Sequence, residues 1–172
     1  MPHATTSPTI IGPTDGESVT LQTIGVRFMI PGVDTDARFS LVEHPMPPRR
    51  LAAPVHKHSR EDEYSFVLEG RVGALLGDEV VYGEPGDLIF KPRGQWHTFW
   101  NAGDEPARIL ELISPAGFEK YFAEVVALLR AGPPDPSALG EIAGRYGLEV
   151  DRESIPRLTA EYGLHFGPPP AE

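Results

Sequence analysis

The chain has 172 residues, 40% of them hydrophobic and 9% aromatic, with no cysteine; this suits one globular domain with a real core and excludes disulfides, thiolate metal sites and cysteine nucleophiles. Fifteen basic against 25 acidic residues give a net charge of −10, the wrong sign for condensing on nucleic-acid phosphates or anionic lipid. Glycine (18) and proline (19) make up about a fifth of the chain against a usual level of roughly an eighth, so short elements joined by many turns are expected, not long helices.

The start, Met1-Pro2-His3-Ala4, lacks the basic opening and apolar run of a signal peptide, and no stretch has the apolar length of a membrane span, so a soluble, cytoplasmic protein is expected. Residues 1–17, rich in Thr, Ser, Pro and Gly, read as an N-terminal arm. Residues 18–116 read as an all-β domain: extended runs are predicted at 19–23, 25–30, 38–43, 63–68, 71–76, 79–81, 87–91, 97–100 and 107–113. The separators between them carry the breakers, among them Pro45, Pro47-Pro48, Gly70, Gly77-Asp78, Gly86, Pro92 and Gly94. Short strands with a turn signal about every 8–12 residues point to a sandwich or barrel.

The pattern changes after Ser114-Pro115. Phe118, Tyr121, Phe122, Val125, Val126 and Leu129 recur at helical spacing, which predicts an amphipathic helix over 117–130 with its apolar face on the β domain. Two shorter helices are predicted near 137–146 and 153–162, each ending in Tyr-Gly-Leu, with Gly147 and Gly163 as left-handed caps. Residues 117–166 thus form a helical extension packed on the barrel, and 167–172 a tail.

Six histidines occur, two of them as His56-Lys57-His58. On a strand, residues i and i+2 share a face, so both imidazoles can converge on one point. A carboxylate cluster, Glu61-Asp62-Glu63, follows, and a further imidazole is available at His97. Imidazoles with a carboxylate on adjacent strands suit a divalent first-row metal.

Written out, the first segment is His56-x-His58-x4-Glu63-x6-Gly70 and the second is Gly86-x5-Pro92-x-Gly94-x2-His97-x3-Asn101, with residues 71–85 between them. This order and spacing resembles the two motifs of the cupin superfamily, in particular its small single-domain, quercetin 2,3-dioxygenase-like members. The glycine that usually opens the first motif is replaced by Arg50. The resemblance covers roughly residues 38–114 and implies a jelly-roll β-barrel holding one metal. Carried over, the metal ligands are His56, His58, Glu63 and His97, with Glu61 as the rival carboxylate. The ion is left open among Fe, Mn, Ni, Co, Cu and Zn.

The resemblance further implies a metal-dependent dioxygenase acting on a small aromatic or oxygenated substrate that chelates the metal, with Glu63 as ligand and catalytic base. An isomerase or lyase using the same ion without O₂, and a non-catalytic binding or regulatory protein, are the alternatives. Phe99, Tyr64, Phe66 and Phe90 are the candidate substrate-pocket residues; alternation from His97 places Phe99 on the metal's face and Trp96 and Trp100 on the other. The basic residues Arg49, Arg50, Lys57, Arg60, Lys91 and Arg93 flank the motifs and are expected to be solvated, with one or two at the barrel mouth. Exposed sheet edges need cover, so a homodimer is expected.

Overall fold

In a computed structural model that describes residues 9–132 and 135–168, the chain is a two-sheet sandwich closed by a C-terminal cap. One sheet has the order β1 (Ser18–Leu21), β2 (Ile24–Ile30), β3 (Ser40–Met46), β10 (Ala107–Ser114), β5 (Asp62–Glu69), β8 (Leu88–Lys91). The other runs β11 (Leu148–Asp151), β4 (Val55–His58), β9 (His97–Asn101), β6 (Val72–Leu76), β7 (Glu79–Gly83). All pairings between these strands are antiparallel, and strands adjacent in sequence often lie in opposite sheets, the double-stranded β-helix arrangement. The first eight residues of the expected arm, the Pro133-Pro134 break and the last four residues of the expected tail lie outside the described residues.

Strict alternation builds the barrel interior. In β10, Ala107, Ile109, Glu111 and Ile113 are buried while the residues between them are only partly covered. Val67, Val72, Ala74, Ile89, Phe99 and Ile109 meet between the sheets as the central apolar cluster. Pro45, expected to end a strand, lies within β3 opposite Arg108. Pairing of β3 with β2 runs only over Leu41–Glu43, so at Pro45 the missing N–H faces an unpaired side.

Helix α1 (Glu119–Arg130) packs Phe122, Val125 and Val126 toward the barrel. Helices α2 (Pro136–Arg145) and α3 (Ser154–Tyr162) follow. Gly147 and Gly163 both adopt positive φ, 68° and 63°, and Leu164 is buried in a cluster with Leu51, Trp100 and Leu158. Trp100 thus lies on the outer face of its sheet, as alternation predicts, and is covered by α3, stacking on Tyr162 at 4.9 Å.

The extension is not purely helical. Leu148–Asp151 forms β11, which pairs with β4 in the register Leu148↔His58 and Val150↔His56. Four residues between two helices carry too little alternation to announce a strand, and only the free edge of β4 gives them a partner. The ladder clamps the strand that carries two histidines, and Ser154 Oγ reinforces it by accepting the Val55 N–H at 2.9 Å.

Candidate metal centre

His56 and His58 project inward from β4, and His97 from β9 pairs directly with His56. Glu63 comes from β5 in the opposite sheet, so the four meet across the sandwich. All are buried, and one potential ligand atom from each lies within 4.8 Å of the others. Glu63 Oε1 stands 3.3 Å from His58 Nε2 and Oε2 stands 3.2 Å from His97 Nε2.

Each imidazole is oriented from behind. His56 Nδ1 lies 2.8 Å from the Pro54 carbonyl and His97 Nδ1 lies 3.0 Å from the Gln95 carbonyl, which places the proton on Nδ1 and leaves Nε2 as a lone pair. His58 Nδ1 faces the Glu61 carboxylate at 3.5 Å. The Nε2 atoms of His58 and His97 are buried without a hydrogen-bond partner, a costly arrangement unless something else satisfies them. Three Nε2 atoms, those of His56 and His97 held from behind by backbone carbonyls, and one carboxylate fit a divalent metal.

Electrostatics agree with that donor set. Burial, then the neighbouring His97 and His58, push His56 well below the usual imidazole range, which favours the neutral, ligating form. Burial would lower His58 too, but the Glu63 and Glu61 carboxylates outweigh it and raise its pKa. Burial would raise Glu63, yet Lys91 and the two histidines hold it well below the usual carboxylate range, so it is ionised at neutral pH.

Glu63 also opens a polar row across the inner face of the six-stranded sheet. Its Oε2 is 2.9 Å from Lys91 Nζ, and Lys91 also bonds Glu111. Glu111 accepts from Ser65 Oγ at 2.6 Å and faces His44 Nε2 at 3.2 Å. Lys91 is therefore not solvated as expected but 1% exposed, because it occupies the inward phase of β8 opposite Glu63. Glu111 carried a signal in the sequence: it sits in phase with Ile109 and Ile113, where an apolar residue is the rule.

A cavity of about 320 Å³ opens over this floor, within the range of small-molecule sites. His56, Glu63, His44 and Glu111 line its base, and Phe99, Phe118, Phe122 and Val125 its walls. Leu139, Ala143, Leu148, Val150 and Ile155 close it from the C-terminal extension.

Of the four expected pocket residues, Phe99 alone lines this cavity. Tyr64, Phe66 and Phe90 lie on the outer face of the six-stranded sheet, Tyr64 stacked on Phe90 at 4.9 Å and Phe66 and Phe90 40% and 46% exposed. The reason is the period of a strand: with Glu63 pointing inward, Tyr64 and Phe66 point outward, and Phe90 pairs with Tyr64. Among the aromatics that line the cavity, Phe118 caps the start of α1 and Tyr121 and Phe122 belong to it, where sequence periodicity marks only a packing face. Glu61, the rival ligand, sits behind His58 instead of facing the centre.

Two inward-facing sheets, a buried three-histidine and carboxylate cluster at their centre and an apolar cavity above it define a double-stranded β-helix protein with a potential mononuclear metal site. Residues 43–113 match the family model described as "Cupin domain". The chain is 30% identical to the polyketide cyclase RemF from Streptomyces resistomycificus, with a TM-score of 0.53 over 63% of this chain and 80% of that one. A stretch of 60 residues is 37% identical to the tetracenomycin polyketide synthase protein TcmJ of Streptomyces glaucescens, covering 35% of this chain and 40% of that protein, so the match spans less than half of that curated relative. A predicted oxalate decarboxylase from Thermotoga maritima aligns with a TM-score of 0.59 at 16% identity, over 62% of this chain and 99% of that one, a likeness of fold. The chain belongs to the cupin family. No described helix is long and apolar enough to cross a membrane.

Proposed function

We propose that the chain is a metal-dependent cyclase of polyketide-type substrates, linear molecules carrying several β-related carbonyls. The observation that carries this reading is the apolar, capped cavity with the His56, His58, Glu63 and His97 cluster on its floor. Similarity to RemF and to part of TcmJ supports it. A metal bound to these four residues would supply Lewis-acid polarisation of chelated carbonyl oxygens.

The remaining work falls to the chain. Phe99, Phe118, Phe122 and Val125 exclude water and confine a flexible molecule, so that one carbon meets one carbonyl and not another. Glu63, ionised and lining the cavity, is the group that takes a proton from the substrate carbon and returns one to the product. Lys91, fixed between Glu63 and Glu111, keeps that carboxylate in place.

The test pairs composition with turnover. Elemental analysis of the purified chain is expected to find close to one metal per chain in wild type and far less in the His56→Ala, His58→Ala double variant. Metal-loaded protein given a linear poly-β-ketone generated in situ should shift the products toward one cyclised isomer without oxygen uptake. Equal metal content in the double variant, or an unchanged product distribution, would reject the reading.

A dioxygenase of the quercetin 2,3-dioxygenase type is the second reading. It is favoured by the donor set, since four protein ligands on an octahedral ion would leave two positions, enough for O₂ beside a substrate oxygen or for a chelating substrate. Stoichiometric oxygen consumption on flavonols or catechols, with Fe-, Mn- or Ni-loaded protein, would select it over cyclisation.

A further inference from the structure

The two ends of the cavity differ in charge balance. At the floor, Glu63 and Glu111 share the Lys91 ammonium, and Glu111 faces His44 as well. At the rim of the capped end, the exposed Arg152 is the one Lys or Arg among the lining residues. Its guanidinium makes no hydrogen bond or ion pair among the described residues. The adjacent acids do not neutralise it by contact: Asp151 instead accepts the Glu153 N–H at 3.0 Å.

Tyr121 of α1 lines the same cavity and is close enough to Arg152 to feel its charge. Burial pushes its ionisation above the usual phenol range, so it is a neutral O–H donor. That hydroxyl, too, has no partner among the described residues. The position of Arg152 is fixed by the sheet that carries the metal ligands. It follows Asp151, which pairs with Val55, and Val150 pairs with His56, so the backbones that carry Arg152 and His56 lie on neighbouring strands in a set register.

We propose that Arg152 and Tyr121 form an anion subsite at the capped end of the cavity. The ligand is then a largely apolar molecule with chelating oxygens at one end and a carboxylate at the other, held by a charge-assisted hydrogen bond from Arg152 and a second from the Tyr121 hydroxyl. This rests on the cavity being the substrate site, as in the function proposed above. It does not require that the chain cyclise anything.

Two fluorescent probes with one ring system test it: 1-anilinonaphthalene-8-sulfonate, which carries an anion, and N-phenyl-1-naphthylamine, which does not. Titrated into the full chain at low salt, wild type should bind the sulfonate more tightly than the neutral probe. Arg152→Gln should weaken the sulfonate about tenfold, as expected for loss of one charge-assisted contact, and leave the neutral probe unchanged. Arg152→Lys should fall between, and Tyr121→Phe should cost the sulfonate about threefold, a smaller loss in keeping with a neutral donor. Equal weakening of both probes in Arg152→Gln would make Arg152 a wall residue only, and an unchanged sulfonate affinity would remove the subsite; either overturns the proposal. Leu139→Trp, which fills the cavity, should abolish both signals, whereas Phe66→Asp with Leu88→Asp on the outer sheet face should preserve them; the reverse pattern places the probes elsewhere and overturns it also. A chain that cyclised no polyketide would still show the sulfonate preference, so the two failures are distinguishable.

Discussion

Glu61 stands 3.5 Å from Nδ1 of His58, at the opposite end of the imidazole from Glu63, which is 3.3 Å from Nε2. The ring thus faces a carboxylate at each end, Glu63 on the side of the candidate metal position and Glu61 behind it. Partners behind metal-bound histidines fix ring angle and tautomer, and their loss typically costs about 10–100-fold in metal affinity. Glu61→Ala is therefore expected to weaken metal binding by about that factor, and Glu61→Gln by less, measured by competition with a chromophoric chelator. Unchanged affinity would mean that packing against Phe118, 4.3 Å from the His58 ring, is enough to orient it.

Lys91 is the cation on which two buried carboxylates depend. Burial would lower its pKa, but Glu111 and Glu63 together raise it, so it is charged. Lys91→Met leaves Glu63 and Glu111 buried without their shared counter-ion, and breaking a buried pair from one side costs about 3–5 kcal/mol. A loss of that size is expected in urea unfolding of the metal-free protein. Adding Glu111→Gln should return part of it, because the double variant buries one carboxylate without the lysine, Glu63, instead of two; strict additivity of the two losses would show that the groups act independently.

Glu111 gives the fold an acid-sensitive element. Burial and the Glu63 charge push its carboxyl upward, but Lys91 and His44 outweigh them and bring it from 4.5 to about 2. A folded-state pKa below the unfolded one stabilises the native state above the unfolded value, and that contribution is lost as pH falls through the folded value. Wild-type stability should accordingly decline between about pH 4.5 and pH 2. Glu111→Gln should be less stable at pH 7 and show a shallower decline over that window, read by urea denaturation at fixed pH.

The centre was more legible in the sequence than its surroundings. His56 and His58 announce a shared face by spacing alone, whereas Glu63 and His97 stand out through the resemblance of their intervals to the two cupin motifs. Tyr64, Phe66 and Phe90 lie near the motif in sequence yet face outward, since Glu63 and Tyr64, as neighbours on one strand, cannot both face inward and Phe90 pairs with Tyr64. Lys91 was hidden by composition: a lysine is solvated by default, and only knowledge that Glu63 and Glu111 sit on either side reverses that expectation. The roof of the cavity was invisible for a different reason. Leu148 and Val150 reach it by pairing with β4, some ninety residues earlier, and a four-residue strand carries no local signal of a distant edge.

That distant pairing depends on Gly147. Its φ is +68°, and a Cβ there would stand 2.2 Å from Ser59 Oγ and 3.3 Å from Arg60 Nε, while its carbonyl accepts the Ser59 N–H at 3.0 Å. Gly147→Ala therefore meets both an unfavourable backbone region and a steric conflict with the turn that leaves His58, and a loss of roughly 1–3 kcal/mol is expected. The local consequence is more informative than the global one. Strain at Gly147 loosens β11 from β4 and, with it, the strand that carries His56 and His58, so amide hydrogen exchange should rise in 55–58 and 148–151 before it rises in β10. Metal should slow that exchange again. Uniform acceleration across the barrel would show that the cap and the β4 edge are not a separate cooperative unit.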